Sequence, residues 1–323
     1  MIYLNMPVGE LYGWAICGKY LLRSISKNRV VGYIEGMFDN QLREDEDTEM
    51  VNAFSVHDCV NFGTVIHTIS PEFLPSCLSW GNKNIGYMFY EKETVSSEQL
   101  HNLRKFDVVV AGSEWNANII RKYGVKCEAI PQGVDQEIFK YKKRQHNDKF
   151  IVFSGGKWES RKQQKVVIEA FKILSEKHKD VMLIASWDNL FNHNAYKEIH
   201  ESINDIPNIL YIGMQSHKNL ANFMSETDIG VFPNTCEGGT NLVLMEYLSC
   251  GRPGVVNIST GQKDVTHEDY AYCMDGKNLL DDTVSLLEHC YLHRDEVAKK
   301  GKLAHKAMAR FSWDKMAERF LSL

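Results

Sequence analysis

Residues 228–257, DIGVFPNTCEGGTNLVLMEYLSCGRPGVVN, constrain the fold more than any other stretch of the chain. Asp228-Ile229-Gly230-Val231-Phe232 is an apolar run of buried-strand length, and Pro233-Asn234-Thr235 ends it. Glu237-Gly238-Gly239-Thr240-Asn241 follows as a glycine-containing loop. From there Leu242, Leu244, Met245 and Leu248 recur at helical spacing. Gly251 and Pro253 stop the helix, and Gly254-Val255-Val256 begins another strand. Strand, tight glycine loop, helix, strand is the repeating unit of a parallel α/β sheet. The first N–H groups of such a helix have no partner inside it, which suits a phosphate or diphosphate. Gly238 and Gly239 let the backbone approach a ligand with no Cβ in between. Glu246, nearly two turns into the helix, could accept two hydroxyl hydrogen bonds from a nucleotide's sugar. On shape alone the same residues also read as a plain loop followed by a helix with a solvated glutamate.

The rest of the chain repeats that rhythm twice over. Ile2–Met6 predicts a first strand, followed by Pro7, Gly9 and Gly13 and a helix over about 14–27. These glycines are not spaced as GxGxxG, though a loop of this kind can still bring a ligand close to the backbone at Gly9. Further strands are expected at 30–34, 63–68, 84–90, 107–111 and 126–130, with Ser113 capping a helix that Gly124 ends. His67 falls at the carboxyl end of its strand, where ligands of parallel sheets gather; a lone histidine there is more often structural. The polar run 39–50, with Asp45-Glu46-Asp47 in it, reads as a solvated loop and not as a metal-binding DxD, because charge surrounds it. Residues 140–149, KYKKRQHNDK, lack apolar periodicity and form the best linker. A second series begins at Phe150–Ser154 with the loop Gly155-Gly156-Lys157-Trp158-Glu159-Ser160-Arg161-Lys162. It continues through a helix to about Lys177 and strands near 181–186, 209–212 and 229–232. Strands alternating with helices in this way imply parallel sheets covered on both faces.

With 323 residues the chain has room for about two domains. A net charge of −5 without a polybasic block argues against nucleic acid or an anionic membrane as the main partner. Eight cysteines, none in a Cys-x-x-Cys pair, imply neither a zinc site nor a disulfide framework. No apolar run approaches the roughly 20 residues that span a bilayer, and MIYLNMPVGE is no signal peptide, so a cytoplasmic protein without a transmembrane segment is expected.

Two successive β/α domains, the GGK…RK loop and EGGTNLVLMEYLSCGRP together resemble the retaining GT-B glycosyltransferases of family 4 (glycosyl transferases group 1). Ile85-Gly86-Tyr87 with Glu91, Ser113-Glu114-Trp115 and the run from Ile130 to Phe139 resemble that family's interdomain stretch. Phe311-Ser312-Trp313-Asp314 looks like its closing helix. The resemblance implies two Rossmann-like β/α/β domains facing a central cleft, with a C-terminal helix that crosses back to the N-terminal domain. The acceptor-side domain would be 1–142, completed by about 311–323, and the nucleotide-sugar domain 148–310.

The resemblance also assigns roles. Lys157, and Lys162 five positions later, match the cations that stabilise the leaving diphosphate, although Gln163 stands where the family usually has glycine. The family's two glutamates are separated by seven residues; here Glu237 and Glu246 are separated by eight. Glu237 is then expected near the donor sugar, Glu246 at the ribose, and Gly155, Gly156 and the backbone from Gly238 through Gly239, Thr240 and Asn241 to Leu242 around the phosphates. His67 corresponds loosely to a histidine at the donor sugar. Neither a metal nor a cofactor beyond the nucleotide sugar is implied, and the acceptor would be a glycan, a lipid-linked molecule or a protein. The implied reaction moves a hexose-type sugar from a UDP- or GDP-linked donor to a hydroxyl with retention. A nucleotide-sugar epimerase on the same fold and a catalytically silent sugar- or nucleotide-binding module are the alternatives.

Overall fold

A computed structural model describes residues 1–34, 45–56, 62–144 and 148–323, of which 45–47 and 62 are described in their backbone only. In chain order the first elements are β1 (Ile2–Asn5), α1 (Gly13–Ser26), β2 (Val31–Ile34), α2 (Asp45–Phe54), β3 (Ser55–Val56) and β4 (Phe62–Thr68). Next come β5 (Gly81–Met88), α3 (Ser97–Leu103), β6 (Val108–Ala111), α4 (Glu114–Arg121) and β7 (Cys127–Ala129). The second series is β8 (Phe150–Lys157), α5 (Gln164–Lys177), β9 (Val181–Asp188), α6 (Ala195–Ile203), β10 (Ile209–Tyr211), α7 (His217–Ser225) and β11 (Ile229–Phe232). The chain closes with α8 (Leu242–Ser249), β12 (Gly254–Asn257), β13 (Tyr272–Met274), α9 (Leu279–Leu292), α10 (Arg294–Met308) and α11 (Trp313–Leu321).

Two compact units result: Met1–Gly133 with Gly238–Thr240 and Phe311–Leu323, and Val134–Glu237 with Asn241–Arg310. The first holds a seven-stranded sheet in the order β3-β2-β1-β4-β5-β6-β7, the second a six-stranded sheet in the order β10-β9-β8-β11-β12-β13. Every ladder among the described residues is parallel. Each sheet reverses its winding once, between β1 and β4 and between β8 and β11, and α/β sheets bind ligands beyond the carboxyl ends of strands at such a point.

In the first unit α1 is buried along most of its length, which puts it in the interior and not on a wet face. Gly18 permits this: a Cβ there would come within 2.1 Å of the Pro7 carbonyl oxygen. Helix α11 packs on α1 through Tyr20 and Trp313, stacked with centroids 4.9 Å apart, and Phe320 meets Tyr87 edge-on at 5.1 Å. In the second unit a continuous core runs from Phe150 and Val152 through Phe171, Leu183 and Trp187 to Ile229, Val231 and Val255. Those strands are apolar without alternation, as a sheet covered on both faces requires.

One reading needs correction. The acidic run expected as a loop over 39–50 is helical from Asp45 onward, because Val51 supplies a buried anchor that the charges before it obscured; 39–44 lie outside the described residues. The second unit takes the chain up at Val134, ahead of the polar run 140–149. The Phe139 carbonyl already accepts from Ser249 Oγ at 2.6 Å, and the Lys142 carbonyl from Arg252 at 2.9 Å. The seven described cysteines are free thiols; Cys59 is outside the described residues. No described helix is long and apolar enough to cross a membrane.

Candidate active site

The two loops that follow β8 and β11 meet at the reversal point of the second sheet. After Lys157 the chain makes a short 3-10 turn, Ser160–Lys162, and enters α5 through Gln163 in the left-handed region (φ 56°, ψ 36°). A left-handed residue there accounts for the glycine preference that the resemblance describes; glutamine adopts it at a steric cost that glycine avoids. Across from this turn, Glu237 is 5% exposed. Its carboxylate is paired with the Lys162 ammonium, with Arg161 Nη1 at 3.0 Å, and accepts from the Asn234 side-chain amide. Its backbone is fixed as well, the N–H donating to Thr260 Oγ1 at 2.9 Å and the carbonyl accepting from Gly261 at 3.1 Å. Burial pushes this carboxyl up, but the charges of Lys162 and Arg161 and the hydrogen bonds from Lys162 and Asn234 outweigh it, so Glu237 sits below the usual carboxylate range.

Arg161 joins the two loops. Its carbonyl accepts from the Thr235 N–H at 2.8 Å, its Nη1 donates to the Cys236 carbonyl at 3.0 Å, and its guanidinium also pairs with Glu159. Glu159 in turn holds Lys157 Nζ at 3.2 Å. Charges therefore alternate from Lys157 through Glu159, Arg161 and Glu237 to Lys162. The two lysines differ: Lys162 is mostly buried, whereas the Lys157 side chain is 41% exposed and lies over the Phe191 ring at 5.0 Å.

Helix α8 starts at Asn241, itself left-handed at φ 62°. Asn241 Oδ1 accepts from the Leu244 N–H at 3.4 Å, and its Nδ2 donates to Gln262 Oε1 at 2.7 Å; Gln262 is anchored by donating to the Asn257 carbonyl at 2.6 Å. The capping side chain is thus locked from behind. Glu246 is 4% exposed, with His217 Nε2 at 3.8 Å from Oε1. Burial, reinforced by the Asp135 charge, pushes its carboxyl up to about 8. Glu237 and Glu246 are therefore driven in opposite directions. One is held ionised and the other held neutral.

Of the residues singled out from sequence, Lys162 and Glu237 are in contact, and Asn241, Leu242 and Glu246 sit on the first two turns of α8. Gly155 and Gly156 are the two residues of β8 that precede its last, Lys157. A Cβ at Gly155 would strike the Phe153 ring at 2.8 Å, whereas one at Gly156 would meet open space, on a backbone at φ +124°. Gly238, Gly239 and Thr240 fall in the first unit. His67 is fully buried, its Nδ1 accepting from Asn5 Nδ2 at 3.0 Å and its Nε2–H donating to Asn84 Oδ1 at 3.1 Å. Burial, opposed by the Asn84 hydrogen bond, pushes its pKa down to about 4, so it is a neutral core histidine with both nitrogens engaged. Gly9 also spends its N–H internally, on the Ala15 carbonyl at 3.1 Å. Arg161, Asn234, Gln262 and His217 were missed. Arg161 alone left a signal, as a cation two residues after Glu159 in the same loop. Among the described residues no group of three or more His, Cys, Asp or Glu side chains is placed to hold a metal ion.

A family model described as glycosyl transferases group 1 matches residues 135–304, more than half of the chain. No protein of curated function matches it in sequence. Among solved structures the chain is similar to sucrose-phosphate synthase from Thermosynechococcus elongatus, at 13% identity over 99% of this chain and 97% of that one, with a TM-score of 0.76. It is similar to Anabaena HepE in complex with UDP-glucose, at 15% identity over 100% and 99%, TM-score 0.74. A glycosyltransferase from Rickettsia africae gives 14% identity over 99% and 96%, TM-score 0.75. At such identities the likeness is one of fold: two parallel-sheet Rossmann-like α/β domains of the GT-B kind.

Proposed function

The chain belongs to the glycosyl transferases group 1 family, and from that premise we propose that it transfers a hexose-type sugar from a UDP- or GDP-linked donor to an acceptor hydroxyl with retention of configuration. Lys162, with Lys157 at the end of β8, meets the diphosphate, together with the N-terminus of α8 at Asn241 and Leu242. Glu246 accepts from the ribose hydroxyls, and Glu237 orients the donor sugar. The bond from the sugar's anomeric carbon to the diphosphate oxygen breaks, and the acceptor oxygen bonds to that carbon on the same face. The acceptor proton passes to the departing phosphate oxygen, which leaves as a nucleoside diphosphate. The negative charge that develops there is what the lysines and the helix terminus stabilise. No metal or cofactor takes part in these steps. Similarity to HepE, whose structure was obtained with UDP-glucose, favours a uridine donor.

The observation that carries the proposal is the Lys162–Glu237–Arg161 cluster, a buried carboxylate held ionised between two cations at the reversal point of the second sheet. A cluster this costly to bury has no packing role that apolar residues would not fill at less expense. Thermal unfolding with UDP, GDP and ADP tests it. At a hundredfold excess over its Kd the preferred diphosphate should stabilise by about 2.7 kcal/mol. Lys162→Ala should lower turnover on the order of 100-fold or more while the unfolding transition survives. Absence of stabilisation by any diphosphate, or undiminished turnover of the variant, would overturn the assignment.

A further inference from the structure

A second concavity, entirely within the first unit, has a chemistry of its own. It is a cavity of about 390 Å³ at the carboxyl ends of β1, β4 and β5, and the first sheet reverses its winding at β1 and β4. Its volume lies in the range of small-molecule sites. Tyr12, Trp14, Phe73, Phe89 and Tyr90 supply ring surface, and no lining residue carries a charge. The rings brace one another: Trp14 lies against Phe89 at 4.0 Å between centroids, tilted by 32°, and Phe73 meets Tyr90 edge-on at 4.7 Å. The Tyr90 hydroxyl is spent on the Thr94 carbonyl at 2.6 Å. Thr68, also in the lining, is 6% exposed, and its Oγ1 has no hydrogen-bond partner. A buried hydroxyl without a partner is uncommon in a folded chain and calls for an explanation.

We propose that this cavity binds an uncharged pyranoside. Pyranose rings present a face of C–H groups that lies well on aromatic rings, and a rim of hydroxyls that needs a few fixed partners. The cavity offers both, the partner being Thr68 Oγ1. A phosphorylated sugar or a uronate would have to leave its charge without a counterion among these walls, which is strongly unfavourable. The site therefore selects by charge as well as by shape.

Saturation-transfer NMR on the full chain tests this, with methyl gluco-, galacto- and mannopyranosides as probes against glucose 6-phosphate, glucuronate and phenol. A neutral pyranoside should give transfer concentrated on its ring C–H protons, with the charged sugars at least tenfold weaker. Trp14→Ala should weaken pyranoside binding tenfold or more. Thr68→Val, close in shape and without the hydroxyl, should weaken it about threefold to tenfold and guards against failure of the tryptophan variant to fold. Charged sugars binding as tightly as neutral ones, phenol binding where no pyranoside does, or Thr68→Val binding like the parent would overturn the proposal. UDP binding is measured in the same samples by thermal shift. Its absence would count against the transferase function and leave the cavity assignment standing, whereas UDP binding with a charged sugar preferred would overturn only the cavity assignment.

Discussion

At the scale of single residues, opposed carboxylates give the sharpest tests. Glu237 is held below its ordinary value of 4.5, so the stability it contributes is present above that value and is lost as pH falls through its folded pKa. Arg161→Ala removes one of its two cations and should cost about 1–3 kcal/mol at neutral pH. It should also move the acid unfolding midpoint upward, as urea titrations at several pH values would detect. Glu246 behaves oppositely. With a folded pKa raised from 4.5 to about 8, stability is full below 4.5, declines as pH rises toward 8 and is flat beyond. Glu246→Gln should abolish that decline and make the protein more stable at pH 8.5 by something on the order of 3 kcal/mol, while weakening donor binding roughly tenfold, because an amide NH2 that can only donate replaces one carboxyl oxygen that can accept from the ribose. A stabilised variant that still binds the nucleotide equally well would remove Glu246 from the site. His67, depressed to about 4, charges readily only once unfolded, so its contribution falls away as pH drops from about 6.5 toward 4. Replacing it should lower stability rather than turnover specifically.

At the scale of elements, the helix termini hold the functional loops in place. Asn241 caps α8 from a left-handed backbone and is itself clamped by Gln262. Asn241→Ala should cost about 1–2 kcal/mol and raise the KM for the donor more than it lowers kcat. Gly156→Ala should also destabilise, through its φ of +124° and not through crowding, since nothing lies within 4 Å of the added carbon. Elements of this kind were legible in the chain because they combine periodicity with punctuation. Strands of four or more apolar residues, the Ser113 cap and the Gly251 stop all announce themselves. The helix Asp45–Phe54 did not, because its buried face is narrow and follows a block of charge. Strands β3 and β13, two and three residues long, carry no period at all. The same limit governs the site. Lys162, Glu237 and Glu246 stand in motifs, whereas the contacts of Arg161 with Cys236 and of Glu246 with His217 join residues far apart in the chain, which no local pattern records. His67 shows the converse: its position at a strand's end was visible, but Asn5 and Asn84, which engage both ring nitrogens, come from neighbouring strands.

At the scale of the molecule, each unit has its own sheet, and the nucleotide site proposed above lies in the second. Scanning calorimetry should therefore resolve two transitions, with UDP or GDP raising the one that belongs to the second unit. Removing 311–323 should lower the other, since Tyr20 loses its stacking partner Trp313 and Lys27 its partner Asp314, at 2.8 Å. A single transition shifted as a whole by both treatments would show that the units do not unfold separately.

The division of the chain also has a temporal side. Residues 311–323 belong with 1–133, yet all of 134–237 and 241–310 are synthesised between them. On the ribosome the second sheet can close while α1 still waits for the aromatic surface of α11 to emerge. The part that starts first finishes last, and in that interval the bare flank of α1 is where a chaperone would find its grip.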